Sequence, residues 1–233
     1  MNVKRFTMGL LALCCLFSLG CIRSIYPIYL PDEGVFEEKL LGEWVILGNS
    51  SDEPRYPPTE EALAESPVWT FTREDGQNGY LVELDEKLEG KEPFLFKGTL
   101  IQIKGHYFLD LQLDSYPEEA PHFQRLHMLP LHSFYHLPSL EPPLRFEIFD
   151  MDVLSEELEE NPNLLPLLPR DSVGDLVTAV PTKKLRKALI YWIKNEKPWT
   201  PLLRFDRAAN VKEKLKLEAV EAEQPTEEAG KNN

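Results

Sequence analysis

Beyond position 21 the sequence contains no cysteine, because Cys14, Cys15 and Cys21 are all three of them. A disulfide-stapled fold is therefore excluded, and apolar packing must supply the core. Positive charge is scarce as well. Twenty-five Lys and Arg stand against 39 Asp and Glu, a net charge of −14, which argues against the basic face that binds a phosphate backbone. No apolar run reaches the roughly 20 residues of a membrane-spanning helix. Also missing are a Gly-x-Ser-x-Gly elbow, a Gly-rich phosphate loop, a Ser or Cys matched with a plausible base, and any internal repeat. What remains, at 42% hydrophobic and 27% charged residues, is the composition of a globular domain. The 20 prolines in 233 residues exceed the usual proportion of roughly 5% and predict long, stiff loops.

The N-terminus carries an export pattern. Lys4 and Arg5 precede an apolar stretch from Phe6 to Phe17, the length of a signal-peptide core and too short to cross a bilayer. Ser18-Leu19-Gly20-Cys21 resembles a bacterial lipobox, departing from it at Ser18, where an aliphatic residue usually stands. That resemblance implies a signal over 1–20, cleavage before Cys21 and a diacylglyceryl group on Cys21. An ordinary secretory signal or an uncleaved anchor is the alternative reading. Removing Lys4 and Arg5 leaves 23 basic against 39 acidic residues, a net charge of −16. A like-charged membrane repels such a domain, so the acyl chains, at about 0.8 kcal/mol per buried CH₂, have to hold it there.

Downstream, residues 21–35 hold two prolines in an apolar-aromatic stretch and read as an extended tether or first edge strand. A helical turn near Phe36–Leu41 leads to a strand at 42–47, and the Pro-rich segment 49–66 reads as a loop with one helical turn. Strands follow at 67–72, 80–84, 94–103 and 106–113, the last two joined tightly at Lys104-Gly105. The clearest alternation sets Tyr107, Leu109, Leu111 and Leu113 against His106, Phe108, Asp110 and Gln112. Further strands are expected at 123–131, 132–137, 144–149, 176–180 and 201–207. A short acidic helix is expected after Asp152. Leu185, Leu189, Trp192 and Ile193 predict an amphipathic helix over 182–195 with Thr182 as N-cap. Residues 208–233 read as an acidic, disordered tail with at most a helical stub. The fold class is mainly β: an antiparallel barrel or strongly curved sheet over 36–207, with one C-terminal amphipathic helix.

Leu41-Gly42-Glu43-Trp44, Trp69-Thr70-Phe71, Gly79-Tyr80 and the run from Phe96 through Phe108-Leu109-Asp110-Leu111 together resemble the small lipocalin-like β-barrel lipoproteins of bacteria. Leu129 to Phe134 and the unit from Leu176 to Ile193 extend the pattern. The resemblance implies that Gly42 and Trp44 mark the closed barrel end, with Arg204 or Arg207 covering the Trp. It also implies a protein of the cell envelope, moored to the membrane through Cys21, with room for a small apolar ligand. Trp69, Phe71, Tyr80, Phe96, Tyr107 and Phe134 are the candidate pocket lining. A solid barrel with a structural or protein-binding role is the alternative.

Four histidines, His122, His127, His132 and His136, fall within fifteen residues. On one strand His132 and His136 share a face roughly 13 Å apart, too far to hold one ion, so structural roles are expected. The acidic run from Asp150 to Glu160 lacks the Gly of a calcium loop and reads as a solvated helix face. Asp110 is a candidate buried carboxylate. The pattern assigns no catalytic residue, metal or cofactor.

Overall fold

The computed structural model describes residues 22–49, 55–74, 78–115, 131–168 and 176–223. Among these residues ten strands are formed: β1 Ile22–Ser24, β2 Gly42–Asn49, β3 Val68–Arg73, β4 Tyr80–Asp85, β5 Phe94–Ile103, β6 His106–Ser115, β7 His132–Leu137, β8 Leu144–Phe149, β9 Leu176–Thr178 and β10 Trp199–Arg207. Four α-helices, α1 Glu60–Ala64, α2 Met151–Glu160, α3 Thr182–Lys194 and α4 Ala208–Glu223, and a 3₁₀ turn at Glu38–Leu40 accompany them. β2 to β8 pair in sequence order, and β10 closes the circle by pairing antiparallel with β8 and with β2. The result is a closed, eight-stranded antiparallel barrel, as the alternating pattern predicts. Closure leaves those eight strands without the unpaired edges that invite aggregation.

Alternation divides each strand between two cores. Trp44, Trp69, Phe71, Tyr80, Leu109, Phe146 and Phe205 face inward and pack together. The outward residues Ile101, Ile103, Phe108, Phe134 and Phe149 form a second core beneath Leu185, Leu189 and Trp192 of α3 and Leu154 of α2. A third cluster joins outward-facing Val45 and Leu47 to Leu63 of α1 and to Val211 and Leu215 of α4. The helices thus lie on the outer wall; α3 and α4 each bury an apolar stripe of the kind that gives most helical stability, and α1 contributes Leu63 alone.

Three expectations differ from the structure. Within the stretch 21–35, expected to be a tether or first edge strand, Ile22–Ser24 is not an edge: β1 lies between β7 and β9 inside the sheet, and Ile22 and Ile28 are buried in the second core. Residues 208–223 are a helix, since Ala208, Val211 and Leu215 return at helical spacing to one face and cover β2. At α3 the N-cap is Pro181, and the Thr182 hydroxyl instead donates to the Pro27 carbonyl at 2.7 Å. The strand expected at 123–131 lies almost wholly outside the described residues, as do Cys21, His122 and His127.

One end of the barrel is closed by Trp44. Its indole Nε1 donates to the Leu40 carbonyl at 2.9 Å, and the Arg207 guanidinium lies 3.9 Å from its ring centroid. Arg207 also donates to the Leu41 and Lys39 carbonyls. Of the two arginines considered, Arg207 makes the cover. Gly42 sits at φ +105°, where a Cβ would stand 3.1 Å from Arg207 Nη1, so the glycine is needed both for its backbone and for the approach of the guanidinium. Replacing Arg207 with Lys removes the planar fork and the stacking. A loss of about 1–2 kcal/mol is expected, read as a lower urea midpoint at unchanged denaturant slope.

Candidate functional site

With Tyr107, Leu109 and Leu111 pointing into the barrel, His106, Phe108 and Asp110 point out. Register then sets Phe108 opposite His136, Asp110 opposite Phe134, Gln112 opposite His132, and His136 opposite Glu147. Diagonal neighbours on such a ladder are within reach of one another. Accordingly His106 meets His136, and Asp110 meets His132.

Two polar networks result on the outer wall. In the first, Asp110 is almost fully buried, and its Oδ1 lies 2.7 Å from His132 Nδ1. Its Oδ2 accepts the Ile28 amide at 2.9 Å. This carboxylate ties the N-terminal segment to the barrel. In the second, Glu147 Oε2 lies 2.9 Å from His136 Nδ1, and His136 Nε2 lies 3.1 Å from His106 Nδ1. A neutral His136 donating from Nδ1 to the carboxylate offers Nε2 as an acceptor to the His106 Nδ1–H. The outermost nitrogen, His106 Nε2, is then itself an acceptor. Trp199 stacks on His136 with centroids 4.7 Å apart and shields this relay from the side.

The relay ends at an open cleft of about 460 Å³, lined by Glu37, Lys39, His106, Tyr107, His136, Ser139 and Glu141 among others. Its walls mix these polar side chains with Leu137, Pro138 and Leu140. Tyr107 donates its hydroxyl to Glu37 Oε1 at 3.3 Å, and Lys39 pairs with Glu141 at 2.6 Å on the rim. Tyr80 accepts the Glu37 amide at 2.7 Å and donates to the Glu37 carbonyl; burial holds its phenol above the ordinary tyrosine pKa. Chemically, the relay can hold a hydrogen-bonding group at His106 Nε2 or move a proton along the Glu147–His136–His106 line. Among the described residues no cluster of three or more His, Cys, Asp or Glu gathers to hold a metal.

Partial burial, and then the neighbouring His136, keep the His106 pKa below the usual histidine value. A lowered folded-state pKa means that the unfolded chain takes up the proton first. The stability at stake is present above about pH 6.5 and is lost as pH falls through that value to the folded pKa. Urea midpoints measured between pH 7.5 and 5 should therefore decline, and His106→Gln should flatten part of that decline.

The candidate pocket residues do not share one cavity. Trp69, Phe71 and Tyr80 are packed inside the barrel, with Phe96 and Tyr107 against them. Tyr107 also reaches the cleft wall. Phe134 faces the other way, into the outer core. His132 and His136 do share a face, each with its own carboxylate. The His106–His136 contact escaped the sequence reading because it depends on the β6–β7 register, set by a connection of sixteen residues, 116–131, whose course no local pattern reveals. No protein family, curated protein or solved structure matches the chain.

Proposed function

We propose that this chain is a non-enzymatic lipoprotein of the bacterial cell envelope, moored through Cys21, whose filled barrel serves a structural or protein-binding role. The observation that carries the solid-barrel half is the packing around Trp69. Its ring lies within 5.7–6.4 Å, centroid to centroid, of Phe71, Phe96, Phe146 and Phe205, and Phe146 meets Phe205 at 4.7 Å. Side chains occupy the space a carrier would keep for its ligand; an eight-stranded barrel is just wide enough for one or the other. The anchoring half is supported by the Gly20-Cys21 pattern and by the lack of any later cysteine.

Two measurements test the halves separately. Intact mass of the mature protein should begin at Cys21 and carry the added acyl mass, and Cys21→Ser should release the protein from membranes. An unmodified N-terminus elsewhere removes the anchor. Native mass spectrometry of the domain from its own cells, with an apolar fluorescent dye titrated in parallel, should reveal neither a copurified small molecule nor saturable binding. One tight, stoichiometric site would restore the small apolar ligand.

A further inference from the structure

A lipid on Cys21 would meet the folded domain with no spacer. β1 starts at Ile22 and is held on one side by β7 and on the other by β9, so about 3.8 Å of chain separates the attachment residue from the sheet. A domain moored that closely has to rest one particular surface on the headgroups.

Three features collect there. The Ile25 amide donates to the Thr178 carbonyl at 3.0 Å and the Leu168 amide to the Val177 carbonyl at 2.7 Å, which sets Ile25, Tyr26 and Leu168 around β1 and β9. These are three of the six exposed large apolar side chains among the described residues, 39%, 46% and 44% exposed. Their grouping is notable because apolar side chains scattered singly need no explanation. Next, the bond from Thr182 to the Pro27 carbonyl at 2.7 Å brings the start of α3 beside them. α3 carries Lys183, Lys184, Arg186, Lys187 and Lys194 with no acidic residue. Arg186 is engaged with Glu33 at 2.8 Å, whereas Lys183 and Lys187 are exposed. Lysines in a first turn oppose the helix dipole, so α3 gains nothing from them locally. In a chain of net charge −14 they make a positive surface next to the anchor.

We propose that the face formed by β1, β9 and the first turns of α3 docks flat on an anionic bilayer, with Ile25, Tyr26 and Leu168 in the interfacial layer and Lys183 and Lys187 against lipid phosphates. The proposal rests on Cys21 being acylated. It also gives the strongly acidic domain a defined orientation, with the exposed lysines of α3 toward the membrane.

The test uses the acylated chain in vesicles of phosphatidylethanolamine and phosphatidylglycerol. Once the signal is removed, Cys21 is the sole cysteine and its sulfur is blocked, so Tyr26→Cys, Leu168→Cys, Leu88→Cys and Leu217→Cys each present one thiol for a fluorophore. Nitroxide-bearing lipids should quench positions 26 and 168 several-fold more than 88 and 217. Lys183→Glu with Lys187→Glu should reduce quenching at position 26 in these vesicles and leave it unchanged in phosphatidylcholine. Equal quenching at all four positions of a protein that floats with vesicles overturns the docking face and spares the anchor. Unchanged quenching after charge reversal overturns the part assigned to the lysines. A Cys21 without acyl mass overturns the anchor and the docking face together.

Discussion

Trp69→Ala is expected to cost about 3–5 kcal/mol, the range for removing a buried aromatic side chain without full collapse of the site. Against a total of roughly 5–15 kcal/mol for a native domain, that is a third of the stability or more. The size follows from position: the ring is 3% exposed and touches the rings of Phe71, Phe96, Phe146 and Phe205, which come from four other places on β3, β5, β8 and β10. No one strand can move inward to refill the space. Trp69→Phe is the informative companion. The indole Nε1 has no hydrogen-bond partner among the described residues, so the smaller ring gives up area but also an unpaired buried donor. It should cost less than about 1.5 kcal/mol. Urea denaturation of both variants at one denaturant slope checks the order; comparable losses for the two would mean that the ring packing described here does not hold the barrel.

The same ring shows how much of the fold was legible beforehand. Trp69 and Phe71 alternate with Thr70 and Thr72, so their inward direction could be read from period two alone. The β5–β6 hairpin was equally readable. Lys104 and Gly105 both take positive φ, 54° and 86°, as a two-residue turn requires, and the flanking residues alternate cleanly. Trp44 with an arginine over it came from the Gly42-Glu43-Trp44 resemblance, and only the β10–β2 register, with Arg207 opposite Trp44, decided between two arginines.

What stayed hidden depended on non-local pairing. β1 is three residues long, too short for any period to show, and its place between β7 and β9 is dictated by partners more than 100 residues away. α4 has Ala208, Val211 and Leu215 among charged neighbours, a stripe narrow enough to pass for a solvated stub until Val45 and Leu47 are seen to need a cover. Asp110, His132 and His136 each stood out as residues. Their pairing did not, because shifting β7 by one position would turn both histidines into the barrel. The site was thus legible as a list and illegible as an arrangement.

That arrangement makes His132 the second costly position. The Asp110 carboxylate is 1% exposed, and His132→Ala leaves it the Ile28 amide as its one hydrogen-bond partner among the described residues; removing one member of a buried pair costs about 3–5 kcal/mol. Asp110→Asn keeps one acceptor oxygen, for the Ile28 amide, and turns its NH₂ toward His132 Nδ1, which can accept it only in the Nε2–H tautomer; it should cost about 1–2 kcal/mol, the difference between a charge-assisted and a neutral hydrogen bond. Asp110→Ala with His132→Ala should be less damaging than the two single losses added together, since no charge is then stranded. A non-additivity of about 1–3 kcal/mol in that cycle is expected for residues in one network. Simple additivity would show that the 2.7 Å contact carries no coupling. Hydrogen exchange separates the two duties of the carboxylate. Asp110→Ala should speed exchange at the Ile28 amide, which loses its acceptor, and along Ile22–Ser24, which has only two register pairs with β7 and three with β9. The β5–β6 hairpin should keep its protection, because its ladder runs through nine register pairs that do not involve the N-terminal segment. Asp110 would then be what fastens the N-terminal segment to the barrel.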